Sequence, residues 1–243
     1  MMIKKLAIAL LSLTATAAMA ANYTGNTLTG FGGTLGNSTL TITNSGNTVN
    51  FSLAAGTSFT SNGIALYINS VAGGLSDTST LTDHSDGGHE VLSGTDGTNR
   101  TLVTFASGFG ADFALSIEPT SANLFSLAAG GPTFVTGANI SNPSGNTFNF
   151  SLNLSDIGLA PGGSFSFVAS LISTTAYRSN ETIGTSSTVP GTPGDAPNAG
   201  FNGTTTFSGS NTFQSAAVPE PSTVLLIGPA LLGGMFFVRR RRA

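Results

Sequence analysis

Apolar and polar residues alternate at every second position along much of this chain, and that pattern suits extended strands with one buried face. Val49, Phe51 and Leu53 alternate with Asn50 and Ser52. Ile64, Leu66 and Ile68 alternate with Ala65, Tyr67 and Asn69, and Phe113, Leu115 and Ile117 with Ala114 and Ser116. Phe148, Phe150 and Leu152 repeat the rule, as do Phe165 and Phe167. Between these runs lie Asn44-Ser45-Gly46-Asn47, Asp96-Gly97, Pro143-Ser144-Gly145-Asn146 and Pro161-Gly162-Gly163. They are turn chemistry, because Gly and Asn tolerate positive φ. No stretch of the body has both the length and the 3.6-residue spacing of a helix. The expectation is an all-β fold: an antiparallel β-sandwich over residues 21–183, with about eight to ten strands and Phe, Leu and Ile between the sheets. The block Ser45–Leu53 recurs as Ser144–Leu152 with one difference. Its flanks do not continue the match, so it reads as one turn-and-strand grammar used twice rather than as a duplication.

Charge narrows the function classes. Asp, Glu, Lys and Arg make up 8% of the 243 residues, against about 25% in an ordinary soluble domain. The net charge of −3 hides an asymmetry: Lys4, Lys5 and Arg239 to Arg242 occupy the two ends, and only Arg100 and Arg178 lie between. The acidic, lysine-free body has little attraction for phosphate backbones, so no nucleic-acid partner is expected. With no cysteine and no tryptophan, disulfide scaffolds, thiol enzymes and zinc-thiolate sites are excluded.

The ends read as targeting segments. Residues 1–20 combine Lys4-Lys5, an apolar run from Leu6 and Ala18-Met19-Ala20, which is a signal peptide with cleavage expected after Ala20. Residues 184–217 turn to Gly, Pro and Thr, a composition suited to a loop and tether. Phe207 and Phe213 are unusual in a tether, so a last strand is expected near 204–213. Residues 218–243 then give Val218-Pro219-Glu220-Pro221-Ser222, an apolar segment over 224–238 and Arg239-Arg240-Arg241-Arg242. Fifteen residues of helix reach about 22 Å, short of the ~30 Å hydrocarbon core, but thinning and snorkelling arginines allow insertion. The arginines would hold that end in the cytoplasm and leave the body outside.

This tail resembles the PEP-CTERM sorting signal. The resemblance covers Val218 to Ala243 and implies recognition by an exosortase in the membrane, with cleavage near Pro219-Glu220-Pro221. It also implies a Gram-negative bacterium that makes exopolysaccharide, and a biofilm or cell-surface destination for a chain only transiently anchored. Parts of the body are similar to DOMON and family-9 carbohydrate-binding sandwiches, through Ile64–Asn69 with Gly73-Gly74, Phe109–Leu115, Leu154–Leu159 and Ser179–Glu181. Those families bind sugars or haem. All four methionines lie in the terminal segments, which disfavours Met–His haem ligation. An aromatic platform for sugar would have to use Tyr23, Tyr67, Tyr177 or an exposed Phe.

Asp77, Asp83, His84, Asp86, His89, Glu90 and Asp96 form the densest polar cluster. Carboxylate oxygens are calcium chemistry, and Asp83, Asp86 and Glu90 are the candidate ligands, although the spacing is not that of an EF-hand. The competing expectation is a solvated glycine-rich loop without metal or other cofactor. No nucleophile elbow and no phosphate-cradling loop occur. Asp112, Glu118, Asp156 and Glu181 are scattered singly and read as solvated strand ends. The expected function is therefore not enzymatic: an exported, exosortase-processed surface or matrix protein, structural or exopolysaccharide-associated. The alternatives are a carbohydrate-binding module, calcium-dependent or not, and a secreted hydrolase.

Overall fold

The structure, a computed structural model, describes residues 19–58, 62–138 and 146–217. Most of the expected signal peptide, including Ala18, lies outside these residues, as do Val218 to Ser222, the 224–238 segment and Arg239 to Arg242.

Three sheets form among the described residues. The first is antiparallel and runs β1 (Ala20–Thr24), β2 (Thr39–Ser45), β3 (Thr48–Ala54), β9 (Thr147–Asn153). The second contains β4 (Asn62–Asn69), β6 (Phe113–Ile117), β7 (Ala122–Ala128), β8 (Gly131–Ala138), β10 (Ser164–Ser173) and β11 (Arg178–Ile183), in the order β11-β10-β4-β6-β7-β8. A last strand, β14 (Asn211–Gln214), pairs with the first half of β10. The third and smallest sheet joins β12 (Ser186–Val189) to β13 (Thr204–Phe207), which pairs in parallel with β5 (Leu102–Thr104).

The first two sheets pack face to face over an apolar core. Ile42, Val49, Phe51, Phe148 and Phe150 meet Ile64, Leu66, Leu115, Phe165, Phe167 and Leu171 there. The repeated nine-residue block becomes two neighbouring strands: β3 and β9 pair antiparallel with Phe51 opposite Phe150. Their rings stack 5.0 Å apart at 8°.

A simple two-layer sandwich would leave the other face of the second sheet in water. Instead Ala65, Tyr67, Ala114, Val168 and Ile172 are buried there, in a second core with Val91, Leu92, Val103 and Phe207. A helix α1 (Gly87–Ser93) and the third sheet supply the cover. The helix can approach because Gly63 carries no side chain: a Cβ at that position would lie 2.3 Å from Val91 Cγ2. Central strands buried on both faces no longer read as strictly alternating, which is why the sequence showed one covered face where the molecule has two. Residues 184–217, expected as a loop and tether with a last strand near 204–213, hold β12, β13 and β14, and Phe207 and Phe213 enter the second and first cores respectively.

Both described ends of the chain meet at one residue. Asn44, buried at the end of β2, donates its N–H to Met19 O (3.2 Å), and its Oδ1 accepts the Ala216 N–H (3.0 Å). The same pole holds the β2–β3 turn, where Asn47 O accepts the Leu154 N–H (2.8 Å), and the end of β4, where Ser70 Oγ donates to Ile157 O (2.7 Å). Helix α1 lies at the opposite end of β4, over Gly63.

Candidate functional site

Helix α1 is short and is fixed by its caps. The Asp86 side chain accepts the His89 N–H (2.9 Å) and also meets His89 Nδ1 at 2.8 Å. Gly94, in the left-handed region at φ 73°, closes the other end by donating to Glu90 O. Burial tends to raise the Asp86 carboxyl, but the hydrogen bonds from His89 outweigh it and hold Asp86 below the usual carboxylate range. Glu90 moves the other way: burial, then the charges of Asp96 and its neighbours, push it up.

In front of this helix lies a cleft of about 350 Å³ lined by Asp86, His89, Glu118, Asn123, Phe125 and Phe134, with Gly87 and Gly88 as its floor. Glu118, at the end of β6, accepts from Ser121 Oγ through Oε2 (2.9 Å). Its Oε1 lies over Gly87, where a Cβ would come within 2.7 Å of it. The aromatic wall is a chain of edge-to-face contacts, His89 on Phe125 (5.0 Å, 74°) and Phe125 on Phe134 (5.9 Å, 81°). Phe125 is buried, whereas Phe134 is 57% exposed. A bulge makes this arrangement. Leu124 pairs with Thr136 but Phe125 pairs with Phe134, so Val135 is the extra residue on β8. Such a bulge re-aims side chains, and it puts Phe134 directly across from Phe125.

No Lys or Arg lines the cleft. Arg100 is engaged with the backbone oxygens of Thr78, Ser79 and Leu81. Arg178 is fully buried, with Nη1 on Ser170 Oγ, Nε on Thr101 Oγ1 (3.3 Å) and Nη2 without a hydrogen-bond partner. Burial lowers its pKa from the ordinary guanidinium value, and the neighbouring Tyr67 hydroxyl works against that shift.

Asp83, Asp86 and Glu90, the calcium candidates, are not assembled into a ligand set. Asp83 Oδ1 accepts the Ser85 N–H (2.9 Å), and its other oxygen stands 3.8 Å from His89 Nε2. Among the described residues no group of three or more His, Asp or Glu side chains is placed to hold a metal ion. The loop that carries them is partly helical, with Val91 and Leu92 in the core.

The other polar candidates also resolve into structure. Asp112 accepts the N–H groups of Ser70 and Val71, and Asp156 that of Asn153. Glu181, expected at a solvated strand end, is fully buried instead. It accepts four backbone N–H groups: Phe31 and Gly33 (3.0 Å) on Oε1, Leu35 (2.8 Å) and Gly36 (3.1 Å) on Oε2. Of the tyrosine platforms, Tyr67 is buried and bonds Leu92 O, Tyr177 packs between Phe31 and Phe201, and Tyr23 bonds Thr212 O with its ring against Phe167. Among the described residues the strongly exposed ring is Phe134, which the sequence did not single out. The only signal was an apolar Phe134-Val135 pair in a polar stretch.

No curated protein and no solved structure matches the chain, and the similarity to DOMON and family-9 sandwiches finds no support there. Residues 217–242 do match the PEP-CTERM protein-sorting motif, and the chain is accordingly an exosortase-targeted, exported protein whose sorting signal begins directly after Ala216.

Proposed function

We propose that this protein is a structural or exopolysaccharide-associated component of the cell surface or extracellular matrix. The 224–238 segment serves as a transient membrane anchor, and exosortase cuts near Pro219-Glu220-Pro221. The observation that carries this reading is the sorting motif at 217–242 set against a body that ends in Ala216, tied to Asn44. The body works by contact rather than by turnover. His89 has an orienting carboxylate in Asp86 (2.8 Å), but its Nε2 faces Asp83 at 3.8 Å rather than a hydroxyl nucleophile, which speaks against triad-type hydrolysis.

Intact-mass analysis of protein recovered from the surface of its native host tests the reading. The expected species starts at Ala21 and ends within residues 218–222. Full-length chain in the cytosol would overturn it.

A further inference from the structure

We propose that the cleft between α1, Glu118 and Phe134 binds neutral saccharide units. This rests on the surface and exopolysaccharide reading above and names the place where it acts. Three features select that ligand. First, about 350 Å³ falls in the ~300–1,000 Å³ range of small-ligand pockets. Second, Phe134 is 57% exposed and its ring is held edge-on by the buried Phe125. An exposed aromatic held this way offers a rigid apolar face, which the C–H face of a pyranose ring matches. Third, the polar lining consists of Glu118, Asp86, Asn123 and His89 with no Lys or Arg. Carboxylate and amide oxygens accept from hydroxyl groups, while two carboxylates with no Lys or Arg beside them repel an anionic polymer. Ser121 occupies only one Glu118 oxygen, which leaves Oε1 over Gly87 to accept from a ligand.

The cleft spans several register positions of the second sheet: Glu118 follows Ile117, which pairs with Ile64, whereas Phe134 pairs with Phe125, Phe125 with Ala114 and Ala114 with Tyr67.

The test uses processed protein recovered from the host surface, titrated calorimetrically with cellohexaose, mannohexaose and chitohexaose, and with hexagalacturonate as the anionic control. At least one neutral hexasaccharide should bind, with no effect of a calcium chelator, and the galacturonate should not. Phe134→Ala should weaken binding about tenfold or more, and Glu118→Gln several-fold, with unchanged thermal melts as the folding control. No binding to any neutral sugar, equal binding by both variants, or a preference for a basic peptide probe would overturn the proposal. Co-sedimentation with the host's extracellular polysaccharide separates the two readings. If wild type and both variants all sediment with it, the cleft fails and the association stands. If wild type does not sediment with it, the association itself fails.

Discussion

Arg178 and Glu181 lie three residues apart on β11, both fully buried, and the molecule treats them in opposite ways. Glu181 faces the strap of residues 25–38, where four backbone N–H groups converge on its two oxygens. The strap contains no strand before β2; the amides of Gly25, Asn26, Thr27, Gly32, Asn37 and Ser38 find backbone oxygens, and those of Phe31, Gly33, Leu35 and Gly36 take the carboxylate. Arg178 faces the second core, against the last turn of α1. It finds the hydroxyls of Ser170 and Thr101, with the Tyr67 hydroxyl beside it, and no acid; among the described residues Nη2 has no hydrogen-bond partner, and neither do the buried hydroxyls of Ser93, Ser116 and Thr205. One charge organises its surroundings; the other is accommodated by them. Glu181 has both oxygens occupied, while Arg178 keeps an unpartnered nitrogen.

Substitutions at these positions test the contrast. Glu181→Ala should be the most damaging, because it strands four donors, three of them buried, at about 1–3 kcal/mol for each buried one. A loss of about 5 kcal/mol or more in denaturant unfolding is expected, and a loss below about 2 would mean that the strap stands without its carboxylate. Phe51→Ala sets the apolar yardstick on the same side. Removing a ring stacked on Phe150 should cost about 3–5 kcal/mol, and a cost below about 1 would mean that the packing of the two sheets is misassigned. Arg178→Met should shift stability by no more than about 1 kcal/mol, since an apolar side chain of similar reach removes an uncompensated buried charge. Damage comparable to Glu181→Ala would erase the distinction between the two charges.

The smallest effect concerns α1. Burial and nearby acids raise the Glu90 pKa in the folded protein, so Glu90 binds its proton more tightly folded than unfolded. Its contribution is full below the unfolded value and fades as pH rises through the folded one. Glu90→Gln should therefore stabilise the protein slightly at neutral pH, by less than about 0.5 kcal/mol, and not in acid. A thermal melt series across pH 3–8 reads the difference.

The first core was legible in the sequence because its strands keep one wet face. Val49, Phe51, Phe148 and Phe150 are buried while Asn50, Ser52, Asn149 and Ser151 are not. The second core was not legible, because β4, β6 and β10 lose that wet face: Ala65, Ser116 and Ser170 are small or polar and read as exposed, yet are buried beneath other elements. Helix α1 escaped notice because seven residues are too few to display a 3.6-residue period, with only Val91 and Leu92 as apolar anchors. In the cleft, Asp86 and His89 were visible as chemistry. Glu118 and Phe134 join them only through the β6 pairing and the bulge at Val135, which are tertiary events.

The Asn44 junction sets an order of events at the start of the chain. Ala20 and Ala21 stand in register with Thr43 and Ile42, so the bond at the expected leader cleavage point is part of a closed ladder once the first sheet forms. Peptidases act on backbone they can draw out of such pairing. Cleavage at that expected point would therefore have to precede the pairing of β1 with β2, and early folding of the body would shield the bond.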